Sequence, residues 1–181
     1  MLLPFEADSD TGDHMIALEL TDMKSFMNTL LKSDTFDHFL LQEAVINGAA
    51  SYVIDGRINH DFFSEEELTE LGLTGYPMLP FSMLRQHCFD LFKGRKMPSS
   101  FRFIFLLSPD NVARTLQSTQ SSYTSNDISG IFINIRYQGG QLTLTTGISY
   151  RIFSTDKSFD AECDKIFRKF LLQHKIAFEE L

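Results

Sequence analysis

The sequence predicts an α+β fold: helices packed on a mixed or antiparallel sheet, with internal duplication of a strand-helix-strand-strand-helix unit. Three observations predict it. Short β-type runs alternate with stretches whose apolar residues recur at helical spacing. Two turn signals, Asn47-Gly48 and Gly139-Gly140, each separate a pair of strand-like runs. The element order appears once over residues 15–94 and again over residues 101–175. A chain of 181 residues fits one domain over residues 15–181, and 43% hydrophobic with 22% charged residues is a globular composition.

Residues 1–14, MLLPFEADSDTGDH, contain four acidic residues and no Lys or Arg. They lack the basic start and apolar core of a signal peptide. They are expected to be a disordered acidic leader, with Met15 as an alternative start. Met15–Leu20 then reads as a strand. Thr21 is placed to cap a helix whose apolar stripe is Met23, Phe26, Met27, Leu30 and Leu31. Phe39–Ile46 and Ser51–Ile58 form a hairpin about Asn47-Gly48, expected to be a primed turn with positive φ. Ser64 caps a short acidic helix opened by Glu65-Glu66-Glu67. Gly72–Pro80 is a loop, and Phe81–Lys93 a helix closed by Gly94.

After the connector KGRKMPSS at residues 93–100, the order recurs. Phe101–Leu107 is an apolar strand. Ser108-Pro109 starts a helix with apolar positions at Val112, Ala113 and Leu116. Residues 117–127 form a Ser/Thr-rich loop. Ile131–Tyr137 turns through Gly139-Gly140 into Gln141–Phe153, with alternation at Leu142, Leu144 and Thr146. Phe159–Gln173 closes the chain as a helix.

The segment from Ile46 lies over the segment from Tyr137 without a gap, matching Gly48 with Gly139, Gly56 with Gly147 and Phe62 with Phe153. Cys88–Lys93 likewise lies over Cys163–Arg168. One half alone has too few strands to bury a sheet face well. Two halves side by side would form one sheet, with the 18 Phe residues filling the layer beneath the helices. Such an arrangement is similar to one domain of a DNA sliding clamp or to the saddle of the TATA-binding protein. Met15–Leu107 taken alone has a ferredoxin-like order. These analogies concern fold and assign no function.

The chemistry-bearing residues form no known signature. His14, His38, His60, His87 and His174 show no paired ligand spacing. His60-Asp61 near Glu65, Glu66 and Glu67 reads more simply as a solvated helix start. Cys88 and Cys163 read as small buried hydrophobes on helices, and His87 beside Cys88 does not face it. No catalytic residue, metal ligand or cofactor is therefore expected. Lys165, Arg168, Lys169 and Lys175 cluster near the end of the chain and could contact phosphates or a partner. Lys93, Arg95 and Lys96 form a smaller patch. A net charge of −8 disfavours a general nucleic-acid binder.

The residues thus point to a non-enzymatic cytosolic binding or interaction module whose partner is a protein or a second copy. A nucleic-acid-associated protein of clamp-like architecture, or an enzyme with a carboxylate or Arg pocket, are the alternatives. No stretch is apolar enough to span a membrane, and the absence of both an export signal and a disulfide framework predicts the cytoplasm.

The stretches MIALELTDMKSFMNTLL, NIRYQGGQLTLTTGIS and FRKFLLQHKIAFEEL together resemble a small bacterial family known only as a domain of unknown function. The resemblance covers Met15–Leu181. It implies a cytosolic bacterial protein and brings no activity, cofactor or site residue.

Overall fold

A computed structural model describes residues 16–181; the expected leader at residues 1–14, and Met15, lie outside the described residues. The fold is α+β, as the patterning predicts. Seven strands are β1 (Ala17–Leu20), β2 (Leu40–Asn47), β3 (Ser51–Asp55), β4 (Ser100–Leu106), β5 (Ile128–Gln138), β6 (Gln141–Tyr150) and β7 (Phe178–Glu180). Five helices are α1 (Met23–Lys32), α2 (Glu65–Glu70), α3 (Arg85–Phe92), α4 (Pro109–Ser118) and α5 (Ser158–Gln173). The sheet order is β3-β2-β4-β5-β6-β1-β7, with every neighbouring pair antiparallel. Among the described residues, no helix is long and apolar enough to cross a membrane.

Strand alternation sorts the sheet into two faces. Phe101, Phe103 and Phe105 of β4, Ile133 and Ile135 of β5, and Leu142 and Leu144 of β6 point to one side. There they meet Phe26 and Leu30 of α1, Cys88 of α3, and Phe167 and Leu171 of α5. The opposite face carries Glu43, Arg102, Ile104 and Asn134 and is only half-buried. Phe residues fill the main core as expected, with Phe36 stacked over Phe105 at 5.6 Å between ring centroids. Two Phe matched in the repeat alignment do not take part: Phe62 is 75% exposed and Phe153 96%.

The element order recurs as expected, but the sheet does not divide into two contiguous, matching halves. β4, β5 and β6 are neighbours, whereas β1 lies apart from β2 and β3, between β6 and β7. A ferredoxin-like unit over Met15–Leu107 would need β1 paired within that stretch; its partners lie outside it. The crossing is sterically easy. Four strand spacings are about 19 Å, and a helix of 10 residues such as α1 covers about 15 Å, leaving residues 33–39 to bridge the rest.

Local differences have local causes. Asp22, not Thr21, caps α1 and accepts from the Ser25 N–H at 3.0 Å, because the Thr21 N–H is held by the Ala177 carbonyl at 3.2 Å. The first hairpin turns through Gly48-Ala49-Ala50, without positive φ at Gly48. Asn47 cannot enter the turn because it pairs with Ser51 and Ser100, and its Nδ2 donates to Ser100 Oγ at 2.9 Å. The second hairpin turns at Gly139-Gly140 as expected, and it is there, rather than at Asn47-Gly48, that the positive φ angles of a primed turn occur, at +60° and +79°. The helix expected over Phe81–Lys93 begins instead as a 3₁₀ turn at Phe81–Met83, since the Phe81 and Ser82 N–H groups donate back to Phe39 and Asp37. Strand β7 had no counterpart in the sequence reading.

Candidate functional site

α5 belongs to two apolar clusters at once. Phe167 and Leu171 enter the main core. Phe159 and Cys163 join a second cluster with Val112 and Leu116 of α4 and Ile128 and Ile131 of β5. Between the clusters neither set of side chains fills the space, and a cavity of about 590 Å³ remains. Ile131, Ile133 and Thr146 form its sheet wall. Cys163, Ile166, Phe167, Phe170 and His174 come from α5, and Asn111, Arg114, Thr115 and Ser118 from α4. Asp34, Thr35, His38 and Phe39 come from the loop after α1.

Exposure grades from mouth to floor. Asp34, His38, Arg114, Ser118 and His174 are exposed, while Ile131, Ile133 and Thr146 are buried. The His174 ring packs on Phe170 at 4.6 Å between centroids. Thr146 is 4% exposed, paired across the strands with Ile133, and its N–H donates to the Ile16 carbonyl at 3.2 Å. Its Oγ1 has no hydrogen-bond partner among the described residues. A buried hydroxyl left alone costs about 1–3 kcal/mol. Thr115, by contrast, satisfies its hydroxyl by donating to the Asn111 carbonyl at 2.7 Å.

Electrostatics separate the groups that can react from those that cannot. Burial pushes the Cys163 thiol up to about 12, with Asp160, Asp164 and Glu162 adding to the effect. Burial alone does the same to Cys88 in the main core. Both thiols therefore stay protonated near neutral pH and fit the packing role expected for them. On the wall contributed by the α1–β2 loop, Arg85 of α3 donates to both carboxylate oxygens of Asp37, at 2.8 and 3.3 Å. Asp34 adds to the field that raises the Arg85 pKa.

The cationic residues singled out in the sequence lie outside the cavity. Lys165 donates to Glu162 at 3.0 Å, and Arg168 to Glu180 at 2.9 and 3.1 Å, with Asp164 at 3.9 Å. Lys169 is exposed on α5, and Lys175 is exposed at the helix exit with φ +56°. The Ser-Glu-Glu-Glu run behaves as a helix start: Ser64 and Glu67 close a reciprocal capping box at 2.8 and 3.1 Å. Sequence reasoning missed the cavity. Its available signals were Thr146 on an otherwise apolar strand face, and Asn111, Arg114, Thr115 and Ser118 spaced three and four apart on α4.

Residues 29–179 match the model of a family described only as a family of unknown function, DUF5721. No curated protein and no solved structure matches the chain.

Proposed function

This chain belongs to the family of unknown function DUF5721, and we infer that it is a non-enzymatic binding module holding a small, mostly apolar molecule between its sheet, α4 and α5. The observation that carries this reading is the 590 Å³ cavity itself, walled by Ile131, Ile133, Phe167 and Phe170, with Asn111, Arg114 and Thr115 as placed polar groups. Ligand sites are typically about 300–1,000 Å³, largely apolar, with a few placed polar groups. Binding rather than turnover is supported by the Cys163 thiol, which lines the cavity in its protonated, unreactive form. The cytosol suits this reading, because Cys88 and Cys163 are both free thiols.

The test is titration with the neutral, polarity-sensitive dye Nile red, using the full chain and a Ser118→Trp variant. Ser118 is exposed at the mouth, so an indole there blocks entry without disturbing the core. Saturable binding with a blue-shifted emission, lost in a Ser118→Trp protein of unchanged melting temperature, supports the reading. No binding, or binding that Ser118→Trp leaves intact, refutes it.

A second reading, a protein partner or second copy, is favoured by Phe153 at 96% exposure beside Ile152 at 45%. Sedimentation velocity of the full chain checks it. Self-association abolished by Phe153→Ser supports this reading, and a concentration-independent monomer removes the second copy.

A further inference from the structure

Resting on the binding reading above, we propose that the ligand is an amphipathic monocarboxylic acid. Its carboxylate sits at Arg114, and its carbon body lies along Phe167 and Phe170. The cavity grades from an exposed mouth carrying Arg114 to a buried, apolar floor of Ile131 and Ile133, so a ligand that fits it has a polar head at the mouth and an apolar body beneath.

The head group follows from charge. The chain as a whole carries −8 and repels anions, yet Arg114 at the mouth makes no ion pair among the described residues. Asp110, one turn earlier on α4, instead accepts from the Tyr76 hydroxyl at 2.8 Å. The lining's one carboxylate, Asp34, acts on Arg85, which already binds Asp37. Arg114 is thus left for an incoming anion. A guanidinium is permanently charged and presents paired N–H donors that match a carboxylate. His38 and His174 line the same cavity and carry ring nitrogens able to hydrogen-bond. One permanent cation balances one negative charge, which favours a carboxylate over a phosphate dianion. The aromatic wall behind it then takes carbon rather than a second polar head.

Calorimetric titration with 10-hydroxydecanoate and 1,10-decanediol tests this class. The two probes share a chain and a terminal hydroxyl and differ only in the head. The acid is expected to bind about tenfold tighter than the diol, the scale of a charge-assisted hydrogen bond. Arg114→Gln should erase that preference. Equal or tighter binding of the diol, or a preference that survives Arg114→Gln, overturns the acid. So does failure of both probes in a protein that still binds Nile red through the mouth, and then the cavity reading stands. If Nile red also fails, that reading falls with it.

Discussion

Gly56 lies against the main chain of Leu41: a Cβ at position 56 would come within 1.7 Å of the Leu41 carbonyl oxygen and 2.8 Å of its carbon. The Gly56 N–H donates to the Gln42 carbonyl, and its own carbonyl accepts from the Leu79 N–H, so the backbone has no room to retreat. Gly56→Ala should therefore cost more than about 2 kcal/mol in urea unfolding, the range of strained and overpacked sites. Gly147, its partner in the repeat alignment, has open space where a Cβ would stand, and Gly147→Ala should stay within about 0.5 kcal/mol. Equal effects would show that the close approach at position 56 does not constrain the fold.

Stability should fall at alkaline pH. Burial raises the Cys88 and Cys163 thiols from 9.0 to about 12, and it also raises the Tyr150 hydroxyl, which donates to Asp160. The native state therefore holds protons that the unfolded chain releases. This contribution is fully present below the unfolded thiol pKa. It is lost as pH rises towards the folded value of about 12, by up to about 1.4 kcal/mol per pH unit for each thiol. Urea midpoints measured at rising pH check it, with Cys88→Ala expected to flatten the slope. A wild-type profile flat above about pH 9 would contradict the thiol assignment.

The Asp37–Arg85 pair, with side chains 13% and 28% exposed, ties the loop that walls the cavity to α3. Asp37→Asn should cost about 1–3 kcal/mol, because a half-buried guanidinium loses its charged partner. The double variant Asp37→Asn with Arg85→Met should recover part of that loss, as coupled neighbours do. Strictly additive losses would mean that the pair contributes nothing beyond its separate side chains.

Tight, general binding to duplex DNA is not expected near physiological salt. Glu162 and Glu180 already occupy Lys165 and Arg168, which leaves Lys169 and Lys175 of the four-residue cluster. Few phosphate contacts give weak binding with a shallow salt slope. A salt series on linear and closed-circular DNA measures this, with Lys165, Arg168 and Lys169 changed together to Glu as the control. Micromolar binding to linear DNA that the control abolishes would revive the nucleic-acid alternative.

Local order was legible where one or two residues decide it. The Ser64 and Ser108 caps, the glycine pair at 139–140 and the apolar stripe of α1 each act within a few positions. Thr21 misled because its N–H partner, Ala177, lies in the last segment of the chain. β7 escaped notice because Phe178–Glu180 is too short and acidic to show alternation, and its strand character comes from pairing with β1. The cavity was illegible for a different reason. It is a gap between two clusters, and the residues around it, from Asp34 to His174, meet only after the sheet has ordered the helices above it. Their types hinted at chemistry, while their proximity depended on long-range contacts that no local pattern encodes.

The position of β1 bears on how the protein is made. Ribosomes deliver residues 17–20 early, yet β6 ends at Tyr150 and β7 at Glu180. At ~5–20 residues per second the first strand waits on the order of ten seconds for its neighbours. During that interval Leu18 and Leu20, both buried in the finished sheet, stand without partners on the nascent chain. The central hairpins can pair vectorially as they emerge, whereas the edge formed by β1 and β7 closes only once residues 178–180 have emerged. A polypeptide cut short before residue 178 would leave β1 as an open strand edge, the kind of edge that recruits other chains. Premature termination in this protein therefore yields an aggregation-prone species rather than a merely weakened one.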